Sequence, residues 1–361
     1  MRILIYLLFM LIQVQAFANM ANPVLSGTLG GRPFVNQYVD VVHEDLFIKI
    51  DDKFEFAQFN VRYHINSSRD GIQIPFLFYA SAYLDSFIVK IDGVEVKVKD
   101  IPYDFEVQEG AKFKDFSYFF ENSDYNESVV LEESPKQGFY ISLDDMIYFE
   151  TDISEGSHII EVSYRATKWT DTWDWINEYS FRYALSPAKY WKSFGTLTIE
   201  VNATNFNKPL TTNLGVPNSG SIDSIAIWKF DSIPVEVLQI NFKPEVDQTA
   251  DTMMKIGPSG LSYITGAILA VIHLLLLIWY RRRNPLKKYS IVVIVGSVLI
   301  PLIFLITWMN YYDFIDSIIG EHASRRHGYT FFVIALYPII LPIYWVIYWL
   351  IDKRVKNKNT Q

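Results

Sequence analysis

The sequence predicts a mixed fold, with an exported antiparallel β-sandwich region followed by three transmembrane α-helices. Runs of alternating apolar and polar residues fill most of residues 39–243. Three apolar runs without formal charge follow, each long enough to cross a bilayer. Charge divides the chain in the same way, because residues 19–258 hold 36 acidic and 20 basic residues while the remainder is basic.

The strand prediction is clearest over residues 87–98. Asp92-Gly93 separates two alternating runs, and this dipeptide is typical of a type I′ hairpin turn, in which both central residues need a positive φ. A two-residue turn places Lys90 opposite Glu95, which is a favourable cross-strand pair. Similar runs recur between Pro and Gly residues, without the long amphipathic helices of βαβ units. These features predict an antiparallel sandwich.

Residues 1–18 have the pattern of a secretory signal peptide. Arg2 precedes ten apolar residues, and the segment ends in Ala16-Phe17-Ala18, which suits signal peptidase. An uncleaved N-terminal anchor is the alternative. Either reading exports the β-rich region over 19–258, which forms one or two modules with a soft boundary near 105–136 and ends in a polar linker over 248–259.

Three spans form the predicted membrane anchor over 259–351. They cover residues 261–280, 289–312 and 329–351, and none contains a charged residue. At a rise of about 1.5 Å per residue, 20 residues match a hydrocarbon core of about 30 Å. The sequence therefore predicts a multi-pass membrane protein.

Loop charges predict the orientation of these spans. The loop 281–288 has five basic residues and no acidic one, and the tail 352–361 has four basic residues and one acidic residue. The positive-inside rule places both in the cytoplasm and the N-terminal region on the far side. We therefore expect a bacterial plasma (inner) membrane protein whose N-terminal region is periplasmic or extracellular. The absence of cysteine fits that compartment.

Composition excludes several function classes. A chain without cysteine has no disulfide scaffold, zinc–thiolate site or cysteine nucleophile. It has no clustered basic footprint for nucleic acid, so no nucleic-acid partner is expected. The Gly-x-Ser-x-Gly, His-Glu-x-x-His and phosphate-loop patterns are absent, so no catalytic residue and no cofactor is assigned. Catalysis by two carboxylates, as in a glycosidase, stays open.

A tryptophan-rich segment is the first candidate ligand site. It consists of Trp169, Asp171, Trp173, Asp174 and Trp175. Indole faces stack on sugars or anchor peptides, and carboxylates accept hydroxyl protons, so the pattern suits a binding platform. The alternative is that the tryptophans pack under neighbouring strands while the aspartates cap a turn.

An acidic aromatic stretch over residues 104–155 is a candidate partner surface. It holds 14 acidic and three basic residues, with several Phe and Tyr residues among them. Acidic groups steer the encounter with a basic partner and aromatic rings supply contact area. The alternative is a solvated insertion whose aromatic side chains cover the sandwich.

One stripe of the first span is a candidate helix–helix contact. Ser262, Gly266, Ala270 and His273 recur at helical spacing, and small residues let another helix approach closely. An ionisable residue near mid-span is a functional candidate, such as a proton relay. The alternative is a neutral His273 that bonds Thr307 or a backbone carbonyl and holds helices together.

The loop between the second and third spans contains several potential metal ligands: Asp313, Asp316, Glu321, His322 and His327. Such a set is common by chance, so no metal site is predicted. Apolar residues at helical spacing over 314–319 predict a short helix in the membrane interface.

Together these features favour a membrane-anchored envelope protein whose exported region is a binding or assembly module without catalysis. Its expected partners are the lipid bilayer and other envelope or membrane proteins, reached through the acidic aromatic surface and the first span. One alternative is an exported carbohydrate-binding or carbohydrate-active protein. Another is an accessory subunit of a membrane transport complex.

Overall fold

The structure of the protein is a computed structural model that describes residues 24–25, 27–34, 39–100, 128–134, 137–142, 146–185 and 193–359. The predicted signal peptide and residues 104–127, 135–136 and 143–145 of the acidic aromatic stretch lie outside the described residues. The chain divides into two compact units. The β unit comprises Val24–Asp171 and Glu178–Lys243, and the helical unit includes Thr172–Asn177 and Pro244–Gln361.

Two large sheets build the β unit, with strands numbered along the chain. Sheet A has the order β1 (Val24–Leu25), β13 (Trp169–Asp171), β14 (Glu178–Ala184), β2 (Leu29–Phe34), β5 (Gly71–Ser81), β11 (Met146–Ile153), β8 (Lys99–Asp100). Two further strands of this sheet lie outside that order: β19 (Val237–Phe242) pairs with β14, and β16 (Thr211–Thr212) pairs with β19. Sheet B has the order β17 (Ser219–Gly220), β18 (Ile225–Phe230), β15 (Phe194–Asn202), β3 (Val39–Ile50), β4 (Phe56–Ser67), β12 (Gly156–Thr167), β6 (Leu84–Ile91), β7 (Val94–Val96). A separate ribbon pairs β9 (Ser128–Ser134) with β10 (Gln137–Ser142).

These sheets confirm the predicted sandwich. Their pairs are antiparallel apart from β2 with β14 and β3 with β15, which are parallel. Alternation along the strands buries one face of each sheet in a shared apolar core. The ring centroids of Tyr63 in sheet B and Phe78 in sheet A lie 5.8 Å apart, and Phe78 also stacks on Phe149.

The Asp92-Gly93 hairpin is confirmed in turn type and register. Both turn residues have positive φ, 50° and 79°, and Lys90 lies opposite Glu95. The Asp92 carboxylate accepts the backbone N–H of Ile159 at 2.9 Å and lies 2.7 Å from His158 Nδ1. The hydrogen bond to Asp92 raises the pKa of His158. For Asp92, partial burial acts to raise the pKa, but the hydrogen bonds from His158 and the Ile159 N–H outweigh it and lower the pKa. An ion pair therefore fixes the turn to β12.

A β-bulge at Val42 changes which side chains of β3 face the core. Val42 is exposed and Glu44 is fully buried, because the register with β4 shifts by one residue there. The Tyr183 hydroxyl donates to Glu44 Oε1 at 3.3 Å, and burial together with this carboxylate raises the pKa of Tyr183. A Cβ added at Gly195 would lie 1.5 Å from the Val42 carbonyl oxygen, so β15 needs glycine beside the bulge.

Three helices dominate the helical unit: α1 (Gln248–Arg283), α2 (Ile291–Ile319) and α3 (Tyr337–Asn359). Short 3₁₀ turns cover Gly320–His322 and Thr330–Leu336. The Asp247 carboxylate caps α1 by accepting the Ala250 N–H, and Ser290 caps α2 in the same way. All three helical segments are long and apolar enough to cross a membrane, which is the mark of a multi-pass membrane protein.

Three helix boundaries differ from the sequence prediction. Residues 248–259 are helical rather than a linker, because the Asp247 cap starts α1 early; a non-helical φ of 66° at Gly257 kinks the helix. Residues 314–319 are helical as predicted, but they form the last turns of α2 and not a separate short helix, and Ile315 and Ile319 are buried. The predicted tail continues α3 as far as Asn359.

Candidate functional site

The structure divides the tryptophan-rich segment between the two units. Trp169 and Asp171 belong to β13 in the β unit. Trp169 is 8% exposed, its indole N–H donates to the Thr28 carbonyl at 2.9 Å, and the Arg182 guanidinium lies 4.5 Å from its ring centroid. Asp171 lies opposite Glu178 in the antiparallel pairing of β13 with β14. Trp169 therefore packs within the β unit, in agreement with the packing alternative for this residue.

Residues Thr172–Asn177, here called the docked loop, fold as part of the helical unit. Hydrogen bonds attach the loop to the segment after α2. In the backbone, Ser324 N–H donates to the Trp175 carbonyl at 3.0 Å and Asn177 N–H donates to the His322 carbonyl at 2.9 Å. From side chains, Arg326 Nη1 donates to the Thr172 hydroxyl at 2.9 Å and Asn177 Nδ2 donates to the Ala323 carbonyl at 3.3 Å. The Ile176 side chain is buried in a small apolar core with Ala250, Ile315 and Ala323. Backbone and side-chain contacts together define the position of this loop.

The Trp175 ring belongs to an aromatic cluster at the end of α2. It stacks on Tyr312 with centroids 5.6 Å apart, and its centroid lies 4.7 Å from that of His327. Trp308 packs edge-on against Tyr312 at 5.0 Å. Asp316 is buried, and its Oδ1 lies 3.2 Å from His327 Nε2. These contacts make Trp175, together with the buried Ile176, an anchor of the docked loop.

Trp173 and Asp174 are the members of the segment that face solvent. The Trp173 side chain is 72% exposed, and the exposed Asp174 carboxylate accepts the Trp175 N–H at 2.8 Å. The five predicted ligand residues thus do not form one platform, since Trp169 is internal to the β unit. An exposed indole beside a carboxylate, on a loop with fixed ends, is suited to binding a partner or a ligand.

His273 lies in the interior of the helical unit. Its Nε2 lies 3.0 Å from the Val292 carbonyl oxygen, which only accepts, so in the neutral ring this nitrogen carries the proton and Nδ1 accepts from the Tyr344 hydroxyl at 3.0 Å. The Tyr348 ring stacks on the imidazole at a centroid distance of 4.0 Å. Thr307, one of the two partners predicted for His273, donates its hydroxyl to the Phe304 carbonyl of its own helix instead. These contacts connect all three helices.

Of the other residues in the predicted stripe, Gly266 and Ala270 contact neighbouring helices, while Ser262 bonds within α1. Ser262 is fully buried and donates to the Pro258 carbonyl at 2.7 Å. A Cβ at Gly266 would lie 2.9 Å from the Phe304 ring, so its small size admits that ring. The carbonyl of Ala270 accepts the Tyr348 hydroxyl at 2.6 Å. Small residues therefore permit close approach along this side of α1.

Two features of the helical unit escape sequence reasoning. Arg281 and Asp352 form a buried bidentate ion pair, with Nε–Oδ1 at 2.6 Å and Nη2–Oδ2 at 2.5 Å. In the sequence both residues are simply charges in the segments that flank the spans, although Asp352 is the one acidic residue of the tail and directly follows an apolar run. Gly296 lies against the His273 ring, and a single glycine within an apolar span gives no sign of its partner.

The β unit brings together histidines that are far apart in sequence. Asp45 lies 3.0 Å from His43 Nε2 and 3.4 Å from His64 Nε2, while His43 Nδ1 lies 2.6 Å from the Thr196 hydroxyl. These contacts join polar side chains of β3, β4 and β15 on one face of sheet B. Across the described part of the chain, no three histidine or carboxylate side chains converge as the ligands of a metal ion, and this includes the loop after α2.

Comparisons with known proteins give no family. No protein-family model and no curated protein matches the chain. Among solved structures, native leukotriene A4 hydrolase from Saccharomyces cerevisiae is 11% identical with a TM-score of 0.32, covering 65% of this chain and 33% of that one. The M1 zinc metallopeptidase from Deinococcus radiodurans is 10% identical with a TM-score of 0.26, covering 59% and 46%. The chain thus spans less than half of these proteins, and the matches are too weak to bear on fold or activity.

Proposed function

We propose that this protein is a multi-pass protein of a bacterial inner membrane whose exported β-sandwich region binds another envelope component and does not itself catalyse a reaction. In this proposal residues 1–18 direct export, and α1, α2 and α3 cross the membrane. The acidic aromatic stretch, most of which lies outside the described residues, is a further contact surface.

Charge supports this orientation. The connection between α1 and α2 carries exposed basic residues, whereas the connection between α2 and α3 carries both acidic and basic residues. The positive-inside rule then puts the α1–α2 connection in the cytoplasm. Because α1 begins on the opposite side, the β unit that precedes it is periplasmic.

The docked loop is the observation that carries the binding proposal. It leaves the β unit after β13, is anchored in the helical unit by Trp175 and Ile176, and returns to β14. Trp173 is exposed between these fixed points. A preorganised loop loses little conformational freedom on binding, and an exposed tryptophan is a frequent energetic centre of interfaces.

Site-specific photocrosslinking in the host tests this proposal. A photoreactive amino acid at Trp173 is expected to give a protein adduct, and the matched position Val216, 91% exposed in the β unit, is expected to give none. Trp173→Ala should weaken binding of the captured partner by about 30-fold, as expected for an interface centre.

Two outcomes would overturn the proposed protein-binding role. One is the absence of an adduct at Trp173, combined with a monodisperse monomer after purification in mild detergent. The other is glycan-array binding that Trp173→Ala abolishes, which would make this a carbohydrate-binding protein instead.

A further inference from the structure

A buried ion pair organises one end of the helical unit. Arg281, at the end of α1, makes a bidentate contact with Asp352 of α3, and the two side chains are 1% and 10% exposed. Arg281 Nη1 also donates to the Lys287 carbonyl at 2.7 Å. One guanidinium therefore holds α1, the α1–α2 connection and α3 together. We call these contacts the Arg281 clamp.

The clamp brings two basic sequence segments to the same end of the helices. Their exposed cations are Arg282, Arg283, Lys287, Lys288, Lys353 and Arg354. Asp352 is the one acidic residue within 281–289 and 352–358, and it is neutralised by Arg281. The surface is therefore uniformly positive, and it is assembled from residues that lie far apart in the sequence.

Three of these cations lie over aromatic rings at this end, one on α1, one just before α2 and one on α3. The closest cation-to-centroid distances are 4.4 Å for Arg283 over Trp279 on α1, 5.2 Å for Lys288 over Tyr289 at the start of α2, and 5.9 Å for Lys353 over Trp349 on α3. Amphipathic rings beside snorkelling cations are typical of the headgroup level of a bilayer. This places the cations at the depth of lipid phosphates.

We infer that the Arg281 clamp assembles a binding site for the phosphate headgroups of anionic phospholipids. Arginine and lysine bind phosphate through charge-assisted hydrogen bonds, and juxtamembrane clusters of four to eight cations attract anionic lipids. The site depends on the clamp as well as on the charge, because the clamp sets the distance between its two basic segments. The inference uses only the membrane embedding of the helices and is independent of the partner binding proposed for Trp173.

Lipid titration of the full-length protein tests the ligand class. The delipidated protein in neutral detergent is titrated with phosphatidylglycerol or phosphatidylcholine, and bound lipid is counted by native mass spectrometry. Phosphatidylglycerol should bind more tightly. Lys287→Gln with Lys288→Gln should weaken phosphatidylglycerol binding by about 25-fold, taking roughly fivefold for each cation. Lys97→Gln with Lys229→Gln, on the β unit, should leave it unchanged.

The Asp352→Asn variant distinguishes the effect of the Arg281 clamp on lipid affinity from the effect of net charge. This change adds one net positive charge, so charge alone predicts tighter binding of anionic lipid. Loss of the clamp instead predicts binding weakened by about tenfold, which corresponds to about 1.4 kcal/mol. The swap Arg281→Asp with Asp352→Arg restores an ion pair between the helices and should recover most of the affinity even if Asp352→Asn alone folds poorly.

Four results would overturn the inference. The first is folded Asp352→Asn protein that binds phosphatidylglycerol as tightly as the unchanged protein, and the second is a charge-swapped protein that folds without recovering affinity. Equal binding of both lipids would remove the anionic headgroup as the ligand. Competition by inorganic phosphate at equal concentration would show that the surface takes a free anion rather than a lipid.

Discussion

Gly296→Ala is expected to destabilise the helical unit by about 2–3 kcal/mol. A Cβ at this position would lie 2.2 Å from His273 Nε2. The imidazole is covered on another side by Tyr348 at 4.0 Å and is bonded to the Val292 carbonyl and the Tyr344 hydroxyl. The ring therefore cannot move away without losing a hydrogen bond or its stacking contact.

Thermal unfolding of the detergent-solubilised protein measures this effect. Gly328→Ala is the matched control, because a Cβ there would meet no atom within 4 Å. Adding His273→Ala to Gly296→Ala should cost less than the sum of the two single changes, since the clash disappears with the ring. A Gly296→Ala protein as stable as the control would show that the two residues do not pack as described.

Trp175→Ala is expected to release the docked loop from the helical unit. The change removes the stacking on Tyr312 and the contact with His327, at a cost of about 2 kcal/mol for a partly buried tryptophan. The Asn177 N–H, bonded to the His322 carbonyl at 2.9 Å, should then exchange with solvent about 30-fold faster.

Hydrogen exchange followed by mass spectrometry reads this out on peptides covering Thr172–Asn177. Trp173→Ala is the matched control, because it removes the same side chain type from an exposed position two residues away. It should leave the exchange of the loop unchanged while impairing partner binding. Equal protection in the Trp175→Ala and Trp173→Ala proteins would contradict the anchoring role of Trp175.

Local patterns suffice for much of this fold. The Asp92-Gly93 turn and its register follow from φ preferences and alternation, which act over a few residues. The spans follow from the length and apolar character of single segments. In each case the information lies within one segment of chain, and the structure agrees with the prediction.

The remaining features depend on contacts that a single sequence does not display. The bulge at Val42 shifts the register of β3 against β4 by one residue and thereby turns Glu44 into the core. The sequence pattern of β3 does not predict a buried glutamate at this position. Trp169 and Trp175 lie six residues apart yet pack in different units, because the chain leaves the β unit after Asp171. Spacing alone therefore groups them as one site although their surroundings differ.

Cysteine accessibility tests the central claim most directly, because the chain has no cysteine of its own. Val216→Cys in the β unit and Leu286→Cys in the α1–α2 connection replace side chains that are 91% and 89% exposed. In spheroplasts, a membrane-impermeant maleimide should label the cysteine at 216 at once and the cysteine at 286 only after lysis. Labelling of both before lysis, or of 286 alone, would contradict a periplasmic β unit on a membrane-spanning anchor.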